Sequence, residues 1–313
     1  MSGLEQDERL EALKELPPLL PRFLLRRRLG LPVVPALMQE LGLDRSTFFL
    51  LPQIQQVLGS HGDKPVTLAQ IKHYYPYHLT DPFTPGIALL KEKGLVDGDP
   101  LRGLSFTERG RWVIERLHTE GKEYVGRIEA LPDAEAEALV GQLGRAVESI
   151  LISPALAPQP GRHLAGSRSI TGIGDTRPVM VRIEQAVYDL WMARDDAHEQ
   201  AWRDAEMEGP AMVAWTLLWN GEAATLDELA LKLGLQHDMP EVESILAYLF
   251  EREYVQREGG RLQLTPEGIL AREDIERETD RIYFTPWPHS TAEAIQVRGA
   301  LEAVVDRLPS PAA

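Results

Sequence analysis

The sequence contains no cysteine, which excludes disulfide frameworks, thiolate zinc sites, iron–sulfur ligation and cysteine nucleophiles. It also lacks a long apolar run, because Arg22, Arg26, Arg27 and Arg28 interrupt the best candidate for a membrane span. Residues 1–5 have neither the basic nor the apolar region of a signal peptide. These absences predict a soluble cytoplasmic protein with no membrane partner.

Basic residues are scarce relative to acidic ones. The 313 residues include 33 Lys and Arg against 48 Asp and Glu, which gives a net charge of −15. Residues 1–150 carry 18 basic and 21 acidic side chains, whereas residues 151–313 carry 15 and 27. A polyanion such as nucleic acid would therefore meet a nearly neutral first half and an acidic second half.

The length of the chain predicts two domains, and the composition changes clearly at one place. Residues 154–178 are rich in Pro, Gly and Ser and have no sustained periodicity, which is typical of a linker. We therefore expect a first domain over residues 1–157, a linker over residues 158–180, and an acidic second domain over residues 181–313.

The two halves share short stretches at a nearly constant spacing of 158 residues. Three pairs correspond: residues 66–71 with 224–229, residues 94–96 with 253–255, and residues 104–110 with 262–268. Constant spacing over three pairs is hard to obtain by chance. The sequence therefore predicts that one folding unit occurs twice.

Local signals identify this unit. Thr67 with Gln70, and Thr225 with Glu228, have capping-box spacing, which predicts a helix start in each copy. A second helix follows a short turn, and a glycine-containing hairpin follows that helix. Helix, turn, helix and hairpin in this order form a winged helix-turn-helix. The predicted fold is mainly α, with two tandem winged helix-turn-helix domains that each carry a small β-hairpin wing.

The first half resembles the MarR family of winged-helix transcription regulators over about residues 45–150. The matching stretches are Thr67–Ile71, Ile87–Val96, Leu104–Gly110 and Leu131–Glu135. The resemblance implies a transcription regulator that binds double-stranded DNA through the helix near residues 82–93. It also implies that helices near residues 108–127 and 132–152 dimerise or hold the second domain, with a small-molecule effector between them. Two assemblies stay open: a homodimer, or an intramolecular pseudo-dimer of the two copies.

The sequence departs from this family at the first wing. Residues 97–102 carry a single arginine, Arg102, where the family usually has a basic run. The second half resembles poorly characterised bacterial helix-turn-helix proteins, and this resemblance implies a fold rather than a function. The residues that carry it are Asp195–His198, Trp202, Leu226–Leu229, Thr279–Asp280 and Pro286–Pro288.

Candidate DNA-contacting residues are those expected to point outward from each second helix and each wing. They are Thr84, Ala88, Lys91 and Arg102 in the first copy, and Ser244, Arg257 and Arg261 in the second. In the second copy Glu241, Tyr248 and Glu251 are also expected to point outward, and carboxylates there would repel phosphates. The four arginines at positions 22 and 26–28 are further candidates for contact with a DNA backbone.

Acidic residues on the second would-be DNA-binding helix favour an alternative function, a protein-interaction or scaffold module that keeps the winged-helix fold without binding DNA. An enzyme is a distant third interpretation, since the sequence shows no nucleophile–base arrangement, and we predict neither a catalytic site, a metal site nor a cofactor. Residues 195–199 contain acids and a histidine at helical spacing, but an ordinary amphipathic helix explains them. His73 and His78 flank a proline and lack the spacing of a helical metal pair.

Overall fold

The computed structural model describes residues 3–29, 31–77, 83–170, 178–234 and 239–308. The fold is mainly α with two small antiparallel hairpins, which confirms the predicted fold class. The first half contains α1 Gly3–Lys14, α2 Leu19–Leu29, α3 Val33–Leu41, α4 Arg45–Ser60, α5 Leu68–Tyr74, α6 Phe83–Glu92, β1 Val96–Asp99, β2 Gly103–Phe106, α7 Glu108–Gly126 and α8 Asp133–Leu151. The second contains α9 His163–Ile170, α10 Val179–Asp204, α11 Gly209–Trp219, α12 Leu226–Leu233, α13 Met239–Glu251, β3 Val255–Glu258, β4 Arg261–Leu264, α14 Pro266–Phe284 and α15 Thr291–Arg307. Of the helices in these described ranges, none is long and apolar enough to cross a membrane.

The first winged helix consists of α4, α5, α6 and the hairpin β1–β2. Its capping box is closed as the sequence predicts, because the Thr67 hydroxyl accepts from the Gln70 amide at 3.2 Å and Gln70 Oε1 accepts from the Thr67 amide at 2.8 Å. Val66 forms a bridge to Leu104, which ties the start of α5 to the wing. This unit has its own apolar core, in which Phe48, Leu51, Ile54, Ile71, Ile87, Leu90 and Leu104 are buried.

The second winged helix consists of α11, α12, α13 and the hairpin β3–β4. The Thr225 side chain caps α12 by accepting from the Glu228 amide, as predicted. The second hydrogen bond of the predicted capping box differs by one residue, however. Glu228 Oε2 accepts from the amide of Ala224, at 2.7 Å, rather than from the amide of Thr225. The Ala224 carbonyl also accepts from the Leu262 amide at 2.8 Å, which ties α12 to its wing as Val66 ties α5.

Each hairpin leads into a long helix at a close backbone approach. A Cβ on Gly110 of α7 would lie 2.0 Å from the Leu95 carbonyl oxygen, and a Cβ on Gly268 of α14 would lie 2.1 Å from that of Tyr254. No real Cβ tolerates such a distance, so each position requires glycine. The two glycines, 158 residues apart in the sequence, therefore fix the same junction in both winged helices.

Helices α2, α8, α10 and α15 pack together and share a second apolar core with the second winged helix. Helices α8 and α15 are held side by side by an ion pair of 2.8 Å between Arg145 and Glu293. Their buried positions also correspond at a spacing of 158 residues. On α8 they are Ala136, Leu139, Leu143, Ala146, Val147 and Ile150, and on or directly after α15 they are Ala294, Val297, Leu301, Val304, Val305 and Leu308.

Helix α9 lies inside the predicted linker and packs against α4 and α10. Its first amides are satisfied from α10, because the Asp196 carboxylate accepts from the His163 amide at 2.8 Å and from the Leu164 amide at 3.0 Å. Gly166 lets α9 approach α4 closely, since a Cβ there would lie 2.6 Å from the Gln56 carbonyl oxygen. The stretch with linker composition therefore includes a packed helix, and the division into two domains stays a prediction.

Candidate nucleic-acid interface

The outer face of α6 carries three of the predicted DNA-contacting residues. Thr84, Ala88 and Lys91 are exposed, while Ile87 and Leu90 on the opposite face are buried in the first core. This alternation is the helical period expected from the sequence. With Leu68 of α5 and Pro100 of the wing, the outer face lines a groove of about 320 Å³. We call the exposed face of Thr84, Ala88 and Lys91 the α6 surface.

The first wing lies beside the α6 surface. The Lys91 ammonium group donates a hydrogen bond to the Gly98 carbonyl, which links the helix to β1. Arg102 is exposed at the tip of the hairpin, where the sequence predicts it. Asp97 and Asp99 are exposed on the same hairpin, and both accept hydrogen bonds from backbone amides of the wing. The wing therefore offers one cation and two anions, in keeping with its departure from the MarR pattern.

The outer face of α13 differs from the prediction at two positions, because Glu241 and Tyr248 are partly buried rather than exposed. Ser244 is exposed as expected, but Tyr248 is partly buried against the α10–α11 turn, where its hydroxyl donates to the Glu206 carbonyl at 2.9 Å. The sequence did not show this contact because it depends on a turn about 40 residues away in the chain. The exposed residues of α13 after its first two positions form what we call the α13 surface, which comprises Glu243, Ser244, Ala247 and Glu251.

The two wing arginines of the second copy are both exposed, but they lie on opposite faces of the hairpin. Arg257 is paired with Leu262, whereas Arg261 is paired with Glu258. Directly paired residues of an antiparallel hairpin share a face, and successive residues alternate. Arg257 therefore shares the face of the buried Leu262, and Arg261 occupies the other face, so the hairpin does not bring them together on one surface.

The arginines of α2 bind other helices. Arg22 and Arg26 lie 4.0 and 3.7 Å from the Asp306 carboxylate at the end of α15. Arg27 forms an ion pair with Glu184 of α10. Arg26 also donates to the Val305 carbonyl of α15 at 2.5 Å, so Arg26 and Arg27 join α2 to α15 and α10, whereas the contact of Arg22 is long and exposed to solvent. The side chain of Arg28 lies outside the described residues.

Carboxylates of α10 are buried where α9 packs against it. Glu199 accepts from the His163 ring at 2.8 Å, and Asp189 accepts from Ser167 and Arg168 of α9. Burial alone would lower the pKa of His163, but the hydrogen bond and charge of Glu199 outweigh burial and raise it. Sequence reasoning placed residues 195–199 on an ordinary amphipathic helix. The structure instead uses two of them, Asp196 and Glu199, to bind α9.

A second polar contact joins α10 to α14. His198 Nδ1 lies 3.2 Å from the Thr279 hydroxyl, and Arg194 lies 3.2 Å from the Glu276 carboxylate. Burial lowers the pKa of His198 to about 4, so the ring is neutral near neutral pH. Arg272 is also buried, and it forms an ion pair of 2.6 Å with Glu276. Arg194 of α10 thus contacts Glu276 and also Asp280, at 3.5 Å, so acidic side chains on the inner face of α14 are paired with α10.

The histidines and acidic residues in the described ranges do not support a metal site. His73 is exposed on α5, and His78 lies outside the described ranges. Within those ranges, the side chains of His, Asp and Glu form no group of three or more suited to a metal ion.

A cavity that no sequence pattern indicates lies between α2, α3, α4, α7 and α10. Its volume is about 150 Å³, and its apolar walls include Leu24, Val34, Phe49 and Leu117. The ion pair between Arg27 and Glu184 forms part of its polar side. The family resemblance implied an effector between α7 and α8, whereas α8 does not line this cavity. Only the packing of helices distant in sequence creates it, so no local signal could have revealed it.

Among known protein families, a match was found for the second half of the chain. The model of a helix-turn-helix family matches residues 178–311, which run from the start of α10 past the end of α15. No curated protein and no solved structure matches the chain. The match includes α12 and α13, the helix pair that the sequence repeat identified. The second half of the chain therefore contains a helix-turn-helix domain.

Proposed function

We propose that the protein is a DNA-binding transcription regulator that reads double-stranded DNA with its first winged helix. The observation that carries the proposal is the α6 surface: Thr84 and Ala88 are small and exposed, and Lys91 supplies a cation beside the wing. A helix with small and basic outward residues can enter a major groove and approach phosphates. The helix-turn-helix domain of the second half supports the same class of function.

The proposal includes a MarR-like arrangement within one chain. Helix α8 packs against both α10 and α15, and α2 packs against the same two helices. The buried residues of α8 and α15 correspond one to one. Equivalent helices of the two subunits in a homodimer would show the same correspondence. These contacts support an intramolecular pseudo-dimer. A 35.1 kDa monomer that binds DNA in analytical ultracentrifugation is the expected result, and an obligate dimer would contradict it.

The cavity between α2, α3, α4, α7 and α10 supports a small-molecule effector. A volume of about 150 Å³ suits a single aromatic ring. Because α4 and α7 belong to or adjoin the first winged helix, a bound ring would change how α6 is held. Phenol is a suitable probe: it should raise the melting temperature of the protein, whereas the variant Gly121→Leu, which fills the cavity, should not respond. Equal responses of both proteins would argue against the site.

The direct test of the proposed function is capture of fragmented genomic DNA at moderate salt, followed by sequencing of the retained fragments. A repeated sequence motif and an affinity that falls with salt are expected, because phosphate contacts release counterions. The overturning result is no enrichment over a control protein, or an affinity that depends on neither salt nor sequence.

A second candidate function is a protein-interaction module, which the acidic α13 surface favours. Glu251 is exposed there, and Glu241 lies in the first turn of α13. Under this alternative the double variant Glu241→Lys, Glu251→Lys abolishes capture of a basic protein partner. Capture that is unchanged by the two substitutions rejects the alternative.

A further inference from the structure

We infer that each chain reads DNA with only one of its two winged helices, the first, so that one chain recognises a single asymmetric half-site rather than a palindrome. This inference rests on the proposed function and specifies its DNA site. It follows from a comparison of the two winged helices position by position, because they share their architecture and differ mainly in surface chemistry.

The correspondence between α6 and α13 is fixed by their buried residues. Adding 159 to the numbers of Phe83, Ile87 and Leu90 gives the buried residues Val242, Leu246 and Leu249. The same addition relates the exposed faces of the two helices. On this alignment Thr84 corresponds to Glu243, Ala88 to Ala247, and Lys91 to Phe250. In the second copy a carboxylate therefore replaces a hydroxyl, and a partly buried phenyl ring replaces the ammonium group of the α6 surface.

The helix starts differ in the same direction. Neither α5 nor α6 has an acidic residue in its first turn. In contrast, α12 begins with Asp227 and Glu228, and α13 has Glu241 in its first turn. The amide groups at a helix start attract anions, and nearby carboxylates occupy this field and repel phosphate. The second copy therefore opposes DNA at the two helix starts that its winged-helix fold would direct toward a backbone.

The wings also differ. The first hairpin has a three-residue tip, residues 100–102, that projects Arg102. The second has only Gly259 and Gly260 at its tip, with φ of 56° and 83°. This is the tight turn that two glycines favour, and it carries no side chain. The basic residues of the second wing, Arg257 and Arg261, lie on opposite faces of the hairpin and do not reach the same phosphate.

The numbers of acidic and basic side chains show the same difference between the two winged helices. One set runs from the start of α5 to the end of β2, and the other from the start of α12 to the end of β4, over the described residues. The first contains the basic residues Lys72, Lys91, Lys93 and Arg102 and the acidic residues Glu92, Asp97 and Asp99; the second contains the basic residues Lys232, Arg252, Arg257 and Arg261 and the acidic residues Asp227, Glu228, Glu241, Glu243, Glu251, Glu253 and Glu258. Acidic side chains therefore clearly exceed basic ones only in the second set. A polyanion is therefore expected to bind the first winged helix rather than the second.

The two alanines on these surfaces allow a matched experiment. Ala88 and Ala247 are both exposed, occupy corresponding positions, and have the same side chain. The full-length variants Ala88→Glu and Ala247→Glu are compared with the wild type by fluorescence anisotropy, on a duplex chosen from the captured genomic fragments. We expect Ala88→Glu to weaken binding at least tenfold, and Ala247→Glu to change the dissociation constant less than twofold. Thermal melting checks that both variants are folded.

A second pair of measurements guards against an indirect effect of Ala88→Glu. Lys91→Ala should reduce the slope of log K against log salt by about 0.9 if Lys91 neutralises one phosphate. Footprinting of the wild-type monomer should protect one half-site of the selected duplex.

Each outcome has a definite meaning. Equal losses for Ala88→Glu and Ala247→Glu, or a footprint of two equivalent half-sites per chain, would show that both winged helices read DNA. Tight binding that neither substitution weakens would show that DNA contacts another surface. Either result overturns the inference while leaving DNA binding intact. If the wild type binds no DNA at all, the proposed function itself fails, and this inference fails with it.

Discussion

Substituting Gly166 by alanine tests whether α9 holds the first winged helix against α10. An added Cβ would lie 2.3 Å from the Tyr74 hydroxyl and 2.6 Å from the Gln56 carbonyl oxygen. Tyr74 is buried, and its ring lies 4.3 Å from that of His163, so it has little room to turn away. The Gln56 oxygen belongs to the backbone of α4. Helix α9 must therefore move away from α4 by about 1 Å, since a relaxed carbon contact needs roughly 3.5 Å.

The expected magnitude combines two opposing effects. Overpacking of a close helix contact costs about 1–3 kcal/mol, and a backbone clash belongs at the upper end. Alanine returns up to about 1 kcal/mol, because glycine is a poor helix former. We expect a net loss of about 2 kcal/mol in the free energy of unfolding. The movement should also weaken the bonds from His163 to Glu199 and Asp196, which lie on the other side of α9.

Urea unfolding followed by circular dichroism measures this effect, and Gly141→Ala on α8 is the matched control. A Cβ on Gly141 meets nothing within 4 Å, so that variant should be more stable than the wild type by up to about 1 kcal/mol. The two substitutions add the same methyl group to a helix. The reasoning is refuted if Gly166→Ala is as stable as Gly141→Ala, because α9 would then not lie against α4 as described.

Further predictions concern backbone conformation and pH. Gly94 and Glu253 follow α6 and α13 with φ of 66° and 59°, a conformation that favours glycine. In thermal unfolding, Glu253→Gly should therefore stabilise the protein by about 0.5–1 kcal/mol, and Gly94→Ala should destabilise it by a similar amount. A loss of stability in Glu253→Gly would contradict this reasoning. Because the pKa of His198 is about 4 when folded and 6.5 when unfolded, the unfolded chain takes up the extra proton between these values and stability falls as pH falls through this window. In His198→Gln, the urea concentration at the unfolding midpoint should fall less between about pH 7 and about pH 5 than it does in the wild type; an equal fall would contradict this reasoning.

The winged helices could be predicted because their signals are local. The caps at Thr67 and Thr225 and the glycine turn at residues 259–260 act within a few residues of themselves. A further local signal was available: the stretch Ala-Glu-Ala occurs at residues 134–136 and again at 292–294. Extending the repeat to these residues would have indicated the pairing of α8 and α15.

The helix α9 could not be predicted, because its stability comes from distant residues. Residues 154–178 read as a linker by composition, yet Asp189, Asp196 and Glu199 supply bonds to α9 from positions 21 to 36 residues further along the chain. The candidate site was predicted in part. The outward residues of α6 were identified by helical period, whereas the partly buried position of Tyr248 depends on a turn before α11.

Carrying two winged helices on one chain changes how the proposed DNA-binding surface can evolve. In a homodimer each substitution enters both subunits, so a change that suits one half-site is imposed on the other. Here a codon for Thr84 and a codon for Glu243 are separate, and each surface can change while the other is kept. The frame of α2, α8, α10 and α15 is also covalently continuous through the chain, so the distance between the two surfaces does not depend on the protein concentration in the cell.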